Sequence, residues 1–291
     1  MEADYIRLKE IKPELAGYLN DSLELLGNSS FPDDSAVHDI RVLLKKSRAT
    51  LKLIGSQVIT DFSLKDIQSL KEAAAMMSVW RDNTVLRKTL KEIKKDYPGL
   101  IDKLKDDPRI SSILIKPEHH NGTPETALTS EKIGELIKKS AFRIRFQNTS
   151  NIDPNILLKE LEGSYLKASD RFLTCRLNAG QKNLHDFRKK SKEFLYQLYF
   201  FRPVSTQVKS LEKKLDDMTR NLGKVNDLFE LLKSIDPNNP EKSRSSEMDE
   251  LIVRIREKQD KYLQRIWPVA SKVFCPGRKL VNLLGYKILV I

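Results

Sequence analysis

The chain has 291 residues, of which 52 are Lys or Arg and 40 are Asp or Glu, so its formal net charge is +12 and its pI is near 9.5. That balance favours an anionic partner over a cationic or neutral one. Two cysteines, Cys175 and Cys275, are too few and too far apart for a disulfide framework or a four-ligand zinc site.

Long stretches without Gly or Pro carry apolar residues at a spacing near 3.6, which predicts helices along almost the whole chain. The predicted helices span 3–26, 35–58, 62–97 with a bend near Trp80, 125–147, 155–179, 182–201, 205–235 and 244–273, and the longest predicted loop spans 107–125. Each amphipathic helix must bury its apolar face against neighbours. We therefore predict an all-α protein of two packed four-helix bundles, one in residues 1–147 and the other in residues 148–291.

The two ends of the chain bear on its location. The N-terminal MEADYIRLKE has neither the basic nor the apolar region of a signal peptide, so we expect an intracellular, cytoplasmic protein. The C-terminal VNLLGYKILVI is much shorter than the ~20 residues that span a bilayer, and Lys287 interrupts it. We expect this segment to pack on the core.

An internal repeat joins the two halves. VHDIRVLLKKSRATLKLIG at 37–55 and LHDFRKKSKEFLYQLYFFR at 184–202 begin alike, and their histidines stand 147 positions apart (185 − 38). Apolar positions recur at intervals of three and four in both segments, which predicts one buried face on each helix. Beside that face run the first basic stripe, His38, Arg41, Lys45, Arg48 and Lys52, and the second basic stripe, His185, Arg188 and Lys192, with Lys189 and Lys190 adding charge nearby.

The first basic stripe spans ~21 Å along its helix and contains no acidic residue. A face that serves solubility normally mixes charges of both signs and so gains ion pairs between successive turns. Like charges stacked at these spacings repel one another, and a bound polyanion relieves the repulsion. The stripe is therefore typical of an anion-binding surface, although any single lysine in it would be an ordinary solvated side chain. The second stripe is shorter because Leu195 and Tyr199 take its last two positions.

A second pair of segments follows the histidine helices, MSVWRDNTVL at 77–86 and LGKVNDLFEL at 222–231. With the paired V/L-H-D-x-R motifs and with YLKASDR at 165–171, they resemble the CHAD family, the conserved-histidine α-helical domain. The resemblance covers residues 3–273. It implies two pseudo-symmetric four-helix bundles enclosing a central basic cavity that binds inorganic polyphosphate. The residues that would line this cavity are His38, Arg41, Lys45, Arg48, Lys52, Arg81, Lys167, Arg171, His185, Arg188, Lys189 and Lys192.

The chain departs from the family pattern at four positions. Ser78 stands where the family usually has Gly, Asn226 stands where it usually has Arg, and Leu195 and Tyr199 replace basic residues. We therefore expect the second half to bind an anion less strongly than the first.

The expected function is binding of inorganic polyphosphate without catalysis or cofactor, with polyphosphate granules as a further implied partner. The ligand has no bases to stack on, so it needs point charges and hydrogen-bond donors more than aromatic rings, which make up 7% of the chain. No phosphate-binding Gly-rich loop, nucleophile elbow or zinc-protease motif occurs in the sequence. A nucleic-acid-binding helical protein that uses the same basic surface is the alternative. A helical scaffold without a ligand is the third hypothesis.

Overall fold

The computed structural model describes residues 7–27, 32–58, 60–78, 80, 82–115, 124–201, 206–236 and 245–285. Within these residues the protein is all-helical, as predicted, and contains no strand. The α-helices are α1 Ile11–Gly27, α2 Asp34–Ile54, α3 Thr60–Met76, α4 Asp82–Asp96, α5 Pro98–Lys103, α6 Pro108–Leu114, α7 Pro124–Arg145, α8 Pro154–Leu177, α9 Gln181–Leu198, α10 Thr206–Ile235, α11 Ser246–Val273 and α12 Leu280–Leu284, with short 3-10 helices at Leu8–Glu10 and Tyr199–Phe201.

The predicted helix over 62–97 is in fact two helices, α3 and α4. The last turn of α3 leaves backbone carbonyls without partners inside the helix, and side chains satisfy them instead. Arg41 Nη1 donates to the Ala74 carbonyl at 2.6 Å, and the Ser78 hydroxyl donates to the Ala75 carbonyl. The break falls in the segment where a bend near Trp80 was predicted.

The predicted loop over 107–125 contains a further helix, α6, so the prediction of an unstructured segment was wrong for its first part. Asp107 precedes the helix, and its carboxylate accepts hydrogen bonds from the Arg109 backbone N–H and from Arg109 Nε, both at 2.9 Å. Pro108 occupies the first turn, where its missing N–H costs nothing. Local capping therefore starts a helix too short to show an apolar period.

Four helices of the first half, α1, α2, α3 and α7, share one core. A buried ion pair lies between α3 and α7, where Arg143 Nε donates to the Asp66 carboxylate at 2.7 Å. Burial raises the pKa of Asp66, and the Arg143 charge opposes that shift. The central side chains of this core are Leu15, Leu19, Ile40, Leu44, Leu70, Met77, Ile133 and Ile137.

A second core is formed by α8, α9, α10, α11 and α12. Tyr165 of α8 is buried in it, and its hydroxyl donates to the Val273 carbonyl at 3.0 Å, which holds α8 against the end of α11. Leu280 and Leu284 of α12 are also buried here, so the described part of the apolar C-terminal segment packs on the core as predicted. No helix within the described residues is long and apolar enough to span a bilayer.

Helices α4, α5 and α6 form a third core with α10 and α11, away from the helices that precede them in sequence. Leu90, Ile93 and Ile110 pack there with Leu231 and Ile255. The packing therefore crosses the predicted division at residue 147.

The two histidine helices, α2 and α9, contact each other directly. Gln197 Nε2 of α9 donates to the Ala49 carbonyl of α2 at 3.0 Å, and Lys52 of α2 pairs with Glu193 of α9. Residue numbers rise along α2 as they fall along α9 at these contacts, so the helices run in opposite directions. The contact places the C-terminal halves of the two helices together.

Candidate functional site

The first basic stripe lies on α2, whose N-terminus is capped by the Asp33 side chain accepting from the Ala36 N–H at 2.7 Å. The apolar positions of the repeat are buried on this helix, as the 3-4 spacing predicts. The basic residues lie at the edge of that buried face. Arg41, Lys45 and Arg48 are half-buried, whereas His38 and Lys52 at the two ends are exposed.

Arg48 is a half-buried member of this stripe. Burial lowers the pKa of its guanidinium, and the negative charge of Glu193 opposes that shift. Its Nε atom is buried and has no hydrogen-bond acceptor among the described residues. A buried donor without an acceptor costs free energy. The positive charge of the same guanidinium would stabilise an oxyanion bound nearby.

Cations from three helices act on Lys190, where α2, α8 and α9 contact one another. Burial lowers the pKa of Lys190 on α9, and repulsion from Lys52, Lys167 and Arg171 lowers it further, while Glu193 opposes the shift. The charges of α2, α8 and α9 therefore act on one another at this point. We call Arg48, Lys52, Lys167, Arg171 and Lys190 the crossing cluster.

Glu193 lies within the crossing cluster and is only 16% exposed. Its carboxylate pairs with Lys52 from α2 and lies 3.9 Å from Lys190 Nζ on its own helix. A second carboxylate, that of Asp170, lies 3.8 Å from Arg171 Nε. The five cations of the cluster outnumber these carboxylates, and the surplus of positive charge would favour a bound anion.

On the other side of α9, Arg188 packs against α10 at Gly223. A Cβ atom built on Gly223 would lie 3.5 Å from Arg188 Nε and 3.6 Å from its Nη2, which is ordinary contact. A larger side chain at Gly223 would push the guanidinium away, which explains a small residue at this point of the repeat. Arg188 Nε is also buried without an acceptor among the described residues.

His185 is held against the same helix. Its Nδ1 lies 2.9 Å from Asn226 Oδ1, so the ring nitrogen donates to the amide oxygen. Asn226 is the position where the sequence departs from the expected Arg. The departure therefore replaces a cation beside the histidine with a neutral hydrogen-bond acceptor.

The two lysines of α9 that were predicted to line the cavity have acidic partners. Lys189 Nζ lies 2.9 Å from Asp186, and Lys192 Nζ lies 3.4 Å from Asp216 on α10. Burial lowers the pKa of Lys192, and Asp216 opposes that shift. Asp186 and Asp216 therefore offset the charges of these two lysines.

The predicted residues are thus gathered only in part. Arg48, Lys52, Lys167 and Arg171 come together in the crossing cluster, whereas Arg188, Lys189 and Lys192 lie on parts of α9 where acids pair with them or where α10 packs. His38 and Arg41 lie toward the other end of α2, with Arg41 bonded to α3. Arg81 lies outside the described residues.

Lys190 and Glu193 belong to the site although neither was among the residues predicted to line it. Both lie off the basic stripe, so a search for cations at intervals of three and four passes over them. Their signal in the sequence is the K-x-x-E spacing of 190 and 193 on one helix face. Lys190 and Glu193 lie among cations of other helices only because α2 packs against α9.

The arrangement can bind an extended anion through point charges and hydrogen-bond donors. Within the described ranges, no group of three or more His, Cys, Asp or Glu could hold a metal ion.

The CHAD domain family model matches residues 25–236, which is most of the chain and includes both histidine helices. No curated protein and no solved structure matches the chain. The matched region contains every residue predicted to line the site. The chain therefore belongs to the CHAD domain family.

Proposed function

We propose that this protein binds inorganic polyphosphate, without catalysis, at a basic site centred on the crossing of α2 and α9. The observation that carries the proposal is the crossing cluster, in which cations from three helices act on one another around Lys190, with Glu193 beside them. Polyphosphate supplies many closely spaced negative charges on a flexible chain. It could neutralise the cluster and accept hydrogen bonds from its lysine and arginine side chains.

The architecture proposed for this function is two pseudo-symmetric bundles with a basic cavity between them. Two contacts support the symmetry, since Arg41 of α2 bonds to α3 and Arg188, its counterpart 147 positions on, packs against α10. In each half an arginine of the histidine helix therefore contacts the next long helix in the chain. The antiparallel contact of α2 with α9 is also what a two-fold axis between the halves would produce.

Nucleic acid is the alternative ligand, because its phosphate backbone carries similar charge. Proteins that bind single strands stack bases on exposed aromatic rings. The crossing cluster consists of Arg, Lys and Glu side chains and contributes no such ring. Polyphosphate is therefore the better match to its chemistry.

The proposal is tested by titrating the protein with polyphosphates of graded length, duplex DNA and RNA at several salt concentrations. We expect polyphosphate to bind far more tightly than DNA at physiological salt. Arg48→Gln together with Arg188→Gln should weaken polyphosphate binding by about tenfold or more, because each change removes charge-assisted hydrogen bonds. The matched control is Arg145→Gln with Arg256→Gln, two exposed arginines on α7 and α11, which should bind as the parent does.

Equal affinity for duplex DNA and polyphosphate would favour the nucleic-acid alternative. Unchanged polyphosphate binding by the Arg48 and Arg188 double variant would move the site elsewhere. Release of phosphate from polyphosphate by the protein and Mg²⁺ would contradict a role in binding alone.

A further inference from the structure

A groove of about 580 Å³ opens beside the C-terminal half of α9, outside the residues discussed so far except for Asp216. Two of its lining residues contact α9 and the 3-10 helix that follows it. Asp216 Oδ1 lies 3.4 Å from Lys192 Nζ, and the Arg7 guanidinium lies 5.1 Å from the centre of the Tyr199 ring. The groove is lined by Arg7, Lys209, Glu212, Lys213 and Asp216.

The groove lies beside the part of α9 where the second basic stripe loses its cations. Leu195 is 6% exposed and belongs to the second core, so it cannot contribute to a binding surface. Tyr199 takes the position that Lys52 has in the first stripe, and Arg7 covers its ring. The backbone N–H of Arg7 donates to the Phe200 carbonyl at 2.8 Å, which fixes the N-terminal segment there.

Arg7 therefore places a guanidinium where α9 itself has no cation. Tyr199 lies seven residues, or ~10 Å of helix, beyond Lys192. The cations of the groove therefore follow the last cation of the second basic stripe. Arg7 precedes residues 25–236, the part of the chain that the family model matches. The cation that Arg7 supplies beside α9 therefore comes from outside the matched region.

Three cations and two carboxylates, Glu212 and Asp216, line the groove, so its lining carries a net charge of +1. Asp216 already has two partners, Lys192 and Arg220, the latter at 2.5 Å, and Arg7 pairs with Glu10 at 2.7 Å. Lys209 and Lys213 are exposed and stand four residues apart on α10, so their charges repel each other. Neither forms an ion pair within the part of the chain that the structure describes.

We propose that this groove is a second phosphate subsite, which binds the continuing segment of a long polyphosphate chain beyond α9. The inference rests on the proposed function, since it extends the same ligand past the end of the second basic stripe. Lys209 and Lys213 would contact the phosphates directly, and Arg7 would join them from the N-terminal segment. A short chain held at the crossing cluster would not reach the groove.

The test compares tripolyphosphate with long-chain polyphosphate as probes of the full-length protein. Lys209→Ala with Lys213→Ala should lower long-chain affinity by about fivefold or more, and should flatten the slope of log affinity against log salt by about 1.4 for two lost contacts. Tripolyphosphate affinity should stay at the parent value. Arg7→Gln should act in the same direction on the long chain alone. Thermal unfolding of each variant checks that it is folded.

The matched control is Lys65→Ala with Lys138→Ala, which removes two exposed lysines from α3 and α7. It should leave both affinities unchanged, which separates the groove from an effect of net charge. Equal long-chain affinity in the parent and in the Lys209 and Lys213 variant would overturn the subsite, as would an equal loss for tripolyphosphate. If the parent binds neither probe, the proposed function fails as well. If Arg48→Gln with Arg188→Gln weakens binding while the groove variants do not, the subsite alone fails.

Discussion

Glu193 is the residue on which the crossing cluster depends in the unbound protein. Its carboxylate pairs with Lys52 across the helix contact and lies near Lys190 on its own helix. The same charge is also felt by Arg48. Glu193 therefore does in the free protein what a phosphate would do in the proposed complex, and the two would compete for the same cations.

Glu193→Gln should tighten polyphosphate binding, because the ligand no longer displaces an internal carboxylate. The unbound variant should melt at a lower temperature than the parent, since the cations then repel without a counter-charge. Added polyphosphate should raise the Tm more in the variant than in the parent, in proportion to its tighter binding. Differential scanning fluorimetry with and without polyphosphate measures both effects.

The control for this prediction is Glu135→Gln on α7, which removes a carboxylate paired with Lys139 on an exposed helix face. It should change neither binding nor the stabilisation by ligand. Weaker polyphosphate binding by Glu193→Gln would show that Glu193 orients the cations instead of competing for them.

At the scale of elements, α6 shows how a cap can establish a helix that has no periodic signal. Its seven residues are too few to be stable alone, and Asp107 holds its first turn through the Arg109 backbone and side chain. Ile110 and Ile113 then pack into the third core. The cap and the buried face together keep α6 in place.

Asp107→Ala should lower the free energy of unfolding by about 1 kcal/mol at neutral pH, the usual cost of losing an N-cap. The hydrogen bond from Arg109 holds the pKa of Asp107 below its usual range. A carboxylate with a depressed native pKa stabilises the fold above its unfolded pKa, and this contribution is lost as pH falls through the native pKa. The gap in Tm between parent and variant should therefore narrow in strong acid.

Thermal melts of both proteins from neutral pH to about pH 3, below the usual Asp pKa, measure this gap. Asp106→Ala, at the exposed neighbouring position, is the control and should cost little at any pH. If the difference in Tm between parent and variant stays constant into strong acid, the loss of stability comes from packing and not from the ionised cap.

At the scale of the whole molecule, the third core joins the two sequence halves. Helices α4, α5 and α6 belong to the first half of the chain and bury their apolar faces against α10 and α11 of the second. The contact of α2 with α9 is a second connection. We therefore expect the chain to unfold as one unit.

Ile93→Ala should test this cooperativity, because Ile93 is fully buried in the third core. The change should lower the Tm by about 5 to 10 °C through a lost side chain and the cavity that it leaves. Trp80 packs on the first core and Trp267 on the second. In a Trp80→Phe background the fluorescence of Trp267 reports on the second core, and in a Trp267→Phe background that of Trp80 reports on the first. Both reporters should show the same lowered Tm.

Lys91→Ala, an exposed neighbour on α4, provides the control and should leave the Tm nearly unchanged. A shift seen by Trp267 alone would mean that the two halves unfold independently.

The helices and their buried faces could be predicted because they depend on local geometry. A period of 3.6 places the apolar residues of α2 and α9 on one face wherever the helix packs, and the basic residues three and four apart must then share the next face. The repeat at 147 positions and the family resemblance also lie in residue order alone. The N-cap of α6 creates no apolar period, so periodicity alone did not predict this helix.

By itself, then, the sequence determined the helical class, the buried faces of the helices, the basic stripes and membership of the CHAD domain family. Only the tertiary structure decided which charges meet, because that depends on contacts between residues far apart in the chain. It placed Lys190 and Glu193 of α9 beside Lys52 of α2, set Arg7 over Tyr199, and carried α4 to α6 across to α10 and α11. Periodicity along one helix specifies a face but not the partner that the face will contact.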